Sequence, residues 1–245
     1  MKIDTLVTRT IPDTRGRLTI EITVQSGELS ATASVPSGKS KGEHEAVEID
    51  AEKAVENVNG EIAATICEQD FASLDELDEF LIKLDGTPNK SRLGANAILS
   101  VSIAAMRLSA LQEKIPLWRA IADRAGTHPS APKLFVNMIN GGVHAGFRLP
   151  FQEYIIVVEG KTSIALPIAQ EAFNKLGEIL HHHGSQTSMG DEGGYSPTFD
   201  TLEKPFEILA QIVEEFHGTN IAIDAAASQL FHDGKYHMLG KAYST

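Results

Sequence analysis

Between Asp123 and Lys133 the apolar patterning of the chain changes character, and that switch limits the folds open to it. Upstream, Leu18, Ile20, Ile22 and Val24 alternate with Thr19, Glu21 and Thr23, the period of a half-buried strand. A second strand is predicted from Leu29 to Val35, with Ser26-Gly27 as the turn. Helical spacing follows: Ala51, Ala54, Val55, Val58 and Ile62 share one face, and Ser73-Leu-Asp-Glu76 is a capping box for a helix burying Leu74, Leu77, Leu81 and Leu84. Gly94 to Gln112 is apolar nearly all round, which predicts a buried helix. The stretch DRAGTHPSAPK then loses all periodicity and reads as a linker. Downstream, Leu134 to Ile139 and Tyr154 to Val158 are short continuous apolar runs, as in strands covered on both faces of a parallel sheet. A helix from Ile164 to Leu180 follows, with Pro167 placed in its first turn. Another is capped by Asp200 with Glu203, carries the stripe Ile208, Leu209, Ile212, Val213 and Phe216, and ends at Gly218. The run Asn220 to Asp224 is one more strand. The order opens an α/β barrel, and the expectation is that the chain ends at Thr245 before about eight strands can close one.

Composition narrows the function classes. With 42% hydrophobic and 22% charged residues the chain can build a core. A formal net charge of -12 disfavours nucleic-acid or anionic-membrane binding, which needs a basic face. The single cysteine excludes an internal disulfide and a cysteine-based zinc site, and fits a reducing compartment. The N-terminus lacks a secretory apolar region, and no apolar run approaches the ~20 residues of a membrane span. The expectation is a cytoplasmic protein.

Taken singly, the chemistry-bearing residues are ambiguous. Asp191-Glu192-Gly193-Gly194 puts a carboxylate on backbone that can bend around a ligand, yet acidic glycine turns are commonly just solvated. Asp224 ends an apolar strand, where a metal ligand and a helix N-cap are equally at home. His144 lies in a glycine-rich loop, and His181 to His183 read as a solvated helix end. Ser37-Gly38-Lys39-Ser40 is not a nucleotide phosphate loop, because Ala33 stands where that pattern needs glycine.

Together the segments resemble the enolase family in order and spacing, over essentially the whole chain. Ser34-Val-Pro-Ser37-Gly38-Lys-Ser-Lys-Gly42-Glu-His-Glu45-Ala46 is similar to the family's active-site loop and the helix after it. Leu93-Gly-Ala-Asn96-Ala-Ile-Leu99 resembles its N-terminal-domain signature. Ile139-Asn-Gly-Gly142-Val-His144-Ala-Gly146, Gln152-Glu153-Tyr154 and Gly190-Asp-Glu192-Gly-Gly194-Tyr-Ser-Pro197 resemble successive catalytic loops. Ile223-Asp224-Ala-Ala-Ala-Ser228 and Asp233-Gly-Lys-Tyr236 extend the likeness.

The resemblance implies an α+β N-terminal domain over 1–127, followed over 128–245 by the first part of an α/β barrel with a ββαα opening. It implies reversible dehydration of 2-phosphoglycerate to phosphoenolpyruvate with Mg²⁺. Glu192 would be the general acid and Glu153 its support. Gln152 and His144, with Glu153, would contact substrate. Asp224 would ligate the tightly held Mg²⁺ and Ser37 a second one. Lys39 and Lys41 stand where the family has small neutral residues, and Gln229 where it has an acid. The family's basic lysine, two further metal carboxylates and phosphate-gripping arginine belong to later strands. The leading reading is therefore an enolase half, completed by a C-terminal half or prone to self-association. The alternatives are a non-catalytic enolase-like binding protein and an inactive truncated fragment.

Overall fold

A computed structural model describes residues 1–38, 40–67, 69–184, 188–190 and 192–244. The chain forms two compact units, one of Met1–Gly38 with His44–Pro129, the other built mainly from Ser130 onward.

In the first unit β1 (Thr5–Pro12), β2 (Leu18–Ser26) and β3 (Leu29–Val35) form an antiparallel sheet in that order. Alternation points Ile20, Ile22 and Val24 of β2 and Ala31, Ala33 and Val35 of β3 into one core. That core is covered by α4 (Ala95–Glu113), which packs across β3 and β2. β1 was not expected from the sequence. Its inward residues are Leu6 and Thr8, so half of its alternation is polar. Asn59 completes it: Asn59 Nδ2 donates to Thr8 O and Asn59 Oδ1 accepts from Thr8 N, both at 2.8 Å, which blunts a sheet edge.

Asn59 lies in a π turn (Val58–Ile62) joining α1 (Ala51–Asn57) to α2 (Ala63–Ile66). Ala54, Val58, Ile62 and Ile66 recur every four residues and are all fully buried. Such a stripe would drift round an α-helix of 3.6 residues per turn, and the wider π turn takes up the difference. α3 (Leu74–Asp85) starts on the expected box. Ser73 Oγ accepts from Glu76 N at 3.1 Å, while Glu76 reaches one residue further back, to Ala72 N at 2.5 Å. α4 is not buried all round, since Leu99 and Leu111 face outward. Contrary to expectation, α4 is long and apolar enough to cross a bilayer by length and composition, although half of it is buried. α5 (Leu117–Ala125) takes in Asp123 to Ala125, so the irregular connection begins only at its Gly126 cap.

In the second unit β4 (Leu134–Asn140), β5 (Glu153–Val158) and β6 (Thr219–Asp224) lie in that order, with β5 antiparallel to both neighbours. This corrects the expected parallel sheet. The connection from β5 to β6 contains two helices, α6 (Thr162–His182) and α7 (Lys204–Glu215). One crossover helix would bring the next strand back parallel, and the second reverses it. The observed order is thus ββααβ, an incomplete α/β barrel with no closed barrel among the described residues.

Both helices cover one face of this sheet, burying Tyr154, Ile156 and Val158 against Ala169, Leu176, Leu209 and Ile212. Ile155 and Val157 are buried on the other face, where Phe135 beside Val157 is exposed; Ile221 and Ile223, opposite Ile156 and Tyr154 on the helix-covered face, are exposed at the β6 edge, so only the central strand is covered on both sides. Pro167 lies in the second turn of α6 rather than its first, on the exposed side. α7 starts at Lys204 with Pro205 in its first turn, and Asp200 lies outside it. A second departure is a small antiparallel meander of β7 (Phe231–His232), β8 (Lys235–Met238) and β9 (Lys241–Tyr243). Its turns are Asp233-Gly234 and Leu239-Gly240, all four residues with positive φ, as two-residue hairpins of the mirror type require.

Gly94 gives the sharpest stability prediction. It caps α4 at φ 98°, and a Cβ there would fall 2.7 Å from Asn96 Oδ1 and closer still to the Ile49 side chain. Asn96 is meanwhile tied to the Ile49 backbone through its Nδ2, 2.9 Å from Ile49 O. Gly94→Ala should cost roughly 2–4 kcal/mol from strain and overpacking. Urea unfolding followed by helical circular dichroism checks it, and an unchanged midpoint would refute this account.

Candidate functional site

The end of β4, the start of β5 and the end of β6 meet at one rim of the second unit's sheet. In the ladder Glu153 lies opposite Asn140 on β4 and opposite Asp224 on β6. From Asn140 the chain passes through Gly141 into a 3-10 turn, Gly142–Ala145, that carries His144. Gly141 N donates to Gln152 O at 2.9 Å and Gly142 N to Leu149 O at 2.8 Å, folding this loop back over the start of β5. Gly142, at φ 49°, allows the close approach, since a Cβ there would lie 3.1 Å from Gln152 Cα.

The segment bearing Glu192 is anchored by Tyr195. Tyr195 N donates to Met138 O at 2.9 Å and its carbonyl accepts from Asn140 N at 2.7 Å, a parallel bridge on the outer edge of β4. Its ring stacks on Phe173 of α6, with centroids 4.6 Å apart.

These anchors bring His144, Glu153 and Glu192 together, their ligand atoms all within 4.8 Å of one another. His144 Nδ1 lies 3.3 Å from Glu192 Oε1, within ion-pair distance but off the hydrogen-bonding direction. The His144 side chain is 3% exposed and that of Glu192 35%, so the acid reaches solvent while the imidazole beneath it does not. Burial first, then a hydrogen bond with Glu192 and the charges of Glu192 and Asp224, push the Glu153 carboxyl up to about 7. Two carboxylates this close resist ionising together, so the pair retains one proton towards neutral pH.

Asp224 stands beside Glu153 with both oxygens oriented. Its Oδ2 accepts from Gln152 Nε2 at 3.2 Å and its Oδ1 from Ala226 N at 2.9 Å. It is exposed, and each oxygen has further acceptor capacity, so it fits one place in the oxygen shell of a hard cation. Ser37 belongs to the first unit, on the loop after β3. Its hydroxyl donates to Glu48 Oε2 at 2.9 Å, and its carbonyl accepts from Arg17 Nη2 at 3.1 Å. Asp191 and Lys39 lie outside the described residues; Lys41 is exposed, and Gln229 is half-buried. Asn137 and Asn140 were overlooked in the sequence. Both end in buried carboxamides without hydrogen-bond partners among the described residues, and the signal was two asparagines breaking an apolar strand.

The raised Glu153 carboxyl has a direct consequence for stability. The folded state holds this proton more tightly than the unfolded chain, whose carboxyl titrates near 4.5. Its contribution is therefore fully present below about 4.5 and is lost as pH rises to about 7. Glu153→Gln should flatten that part of the stability curve. Urea midpoints of both proteins across the window check it, and parallel curves would show that the carboxyl is not raised.

The enolase N-terminal domain family matches residues 3–121, and the enolase C-terminal TIM barrel domain family matches residues 129–245. The two matches cover nearly all of the chain, in the order of the two units. By these matches and by the ββααβ order that carries the rim, the chain belongs to the enolase family.

Proposed function

We propose that the chain supplies the acid side of a 2-phosphoglycerate dehydratase site, in a soluble cytoplasmic enzyme of glycolysis and gluconeogenesis that interconverts 2-phosphoglycerate and phosphoenolpyruvate. The observation that carries this reading is the Glu153–Glu192 pair, which holds a proton near neutral pH within reach of His144. Loss of the C3 hydroxyl needs a proton delivered to the departing oxygen, and an acid works best with a pKa near the working pH. Glu192, the more exposed member, delivers it. Glu153 sits beneath and shares the proton; once that proton has left with the hydroxyl as water, one taken up from solvent at the exposed Glu192 returns the pair to its singly protonated state. Gln152 and His144 complete the wall facing substrate, and Gln152 also fixes the Asp224 carboxylate.

The family is magnesium-dependent in general, and Mg²⁺ when bound supplies charge neutralisation for the doubly charged carboxylate formed after C2 deprotonation. Asp224 would contribute one carboxylate, and the Ser37 hydroxyl would serve a second ion once released from Glu48. The base that removes the C2 proton and the other metal carboxylates would come from the remaining barrel strands, on this polypeptide or another. We place the boundary between the two domains at 127/128. The exposed Phe135, Ile221 and Ile223 favour a complementary enolase segment or a second copy as partner.

The 245-residue chain alone should give no measurable phosphoenolpyruvate and should self-associate at micromolar concentration. A coupled assay and sedimentation velocity check both, and turnover by chain free of host enzyme would refute the half-site reading. Mixed with a C-terminal enolase segment, it should regain Mg²⁺-dependent turnover, and Glu192→Gln should lower that by about 10²–10⁴-fold. Asp224→Asn should instead raise the Mg²⁺ requirement and recover partly in excess metal. A tight complex inactive at every Mg²⁺ concentration would make the chain a non-catalytic enolase-like binding protein.

A further inference from the structure

Glu192 is flanked two residues away on either side by Gly190 and Gly194, and these differ in kind from the glycine between them. Gly193 adopts φ 81°, where glycine serves the backbone. Neither Gly190 nor Gly194 lies in the left-handed region, so their lack of a side chain answers a need for space. A Cβ on Gly190 would lie 2.6 Å from Asn140 Cβ, and one on Gly194 would lie 2.5 Å from Asn140 Oδ1. Both glycines therefore rest on the same flat carboxamide. The short loop is closed above it by Gly190 N donating to Gly194 O at 2.7 Å.

Asn140 is fully buried, and neither atom of its carboxamide has a hydrogen-bond partner among the described residues. Burying such a group unpaired costs about 1–3 kcal/mol, so stability alone would favour an apolar side chain here. Its main chain pairs with that of the residue bearing the other carboxylate, since Asn140 is the ladder partner of Glu153. One residue is thus the reference point for both members of the acid pair. We propose that Asn140 is a positioning residue whose carboxamide seats Gly190 and Gly194 and so sets where Glu192 stands relative to His144 and Glu153. The inference rests on the assignment of Glu192 and Glu153 as the acid pair, but its geometry can be read without catalysis.

The experiment measures magnetisation transfer between the His144 ring and the Glu192 side-chain methylenes in the full chain, with thermal unfolding to show that each variant is folded. Asn140→Ala and Gly194→Ala should each weaken that transfer severalfold, the first by removing the seat and the second by colliding with it. Combined, they should largely restore it, because the new methyl at 194 occupies the space the carboxamide leaves and then meets only Asn137 Oδ1, at 3.0 Å, a contact relieved by a shift of a few tenths of an ångström. Asn140→Ala should not rescue Gly190→Ala, whose collision is with Cβ, an atom alanine keeps. Unchanged transfer in folded Asn140→Ala, or a Gly194→Ala defect that Asn140→Ala leaves in place, would overturn the proposal. If Gly194→Ala does not fold, Asn140→Ala alone decides. Displacement of Glu192 with full turnover in a reconstituted enzyme would uphold the positioning role and sink the acid assignment.

Discussion

The register of β5 is the constraint on which the second unit depends. Its residues alternate between the helix-covered face and the opposite face, so a slip of one position would exchange Tyr154, Ile156 and Val158 for Ile155 and Val157 against α6 and α7. The same slip would take Glu153 away from its places opposite Asn140 and Asp224. Core packing therefore fixes the acid site. The apolar burial that holds the strand in place also holds three polar residues in a row across the sheet. Because β5 runs against both neighbours, it contributes its first residue to the rim, whereas β4 contributes the loop that follows it. One carboxylate thus stands on a strand and is less exposed to loop variation than His144 or Glu192.

The electrostatics follow from that placement. In a chain of net charge -12, carboxylates are ordinarily kept apart in water. Here two of them and a buried imidazole are pressed together beside a third carboxylate, and the system answers by keeping a proton. The cost is accepted by the fold locally, since the surrounding strands are largely apolar and hydrogen-bonded in register.

Much of this was legible in the sequence, and the failures have physical causes. β2, β3, α3 and the stripe of α7 declare themselves by period, because each buries one face. The motif segments around His144, Glu153, Glu192 and Asp224 marked the residues at the rim, though Ser37 falls in the other unit and Glu192 is the most exposed of the central three. β1 was missed because a buried threonine interrupts its apolar face and an asparagine from the distant π turn completes its edge. Strand direction in the second sheet depends on how many times the chain reverses before returning, which period alone does not record. The meander of β7 to β9 is too short for periodicity, and its only signal was the Asp-Gly pair at its first turn. Asn140 was passed over because its task is steric, and a carboxamide without a hydrogen-bond partner among the described residues leaves no pattern.

The bridge between Tyr195 and β4 has a further geometric meaning. The outward-facing backbone groups at Met138 and Asn140 are already engaged by Tyr195, which leaves the stretch from Leu134 to Asn137 as the part of that edge open to pairing. A strand arriving from elsewhere in a completed barrel can run alongside only that lower half before it meets the segment carrying Glu192. The acid-bearing loop thereby works as an end-stop, and the depth to which a neighbouring strand can slide is measured by the same tyrosine that anchors the acid.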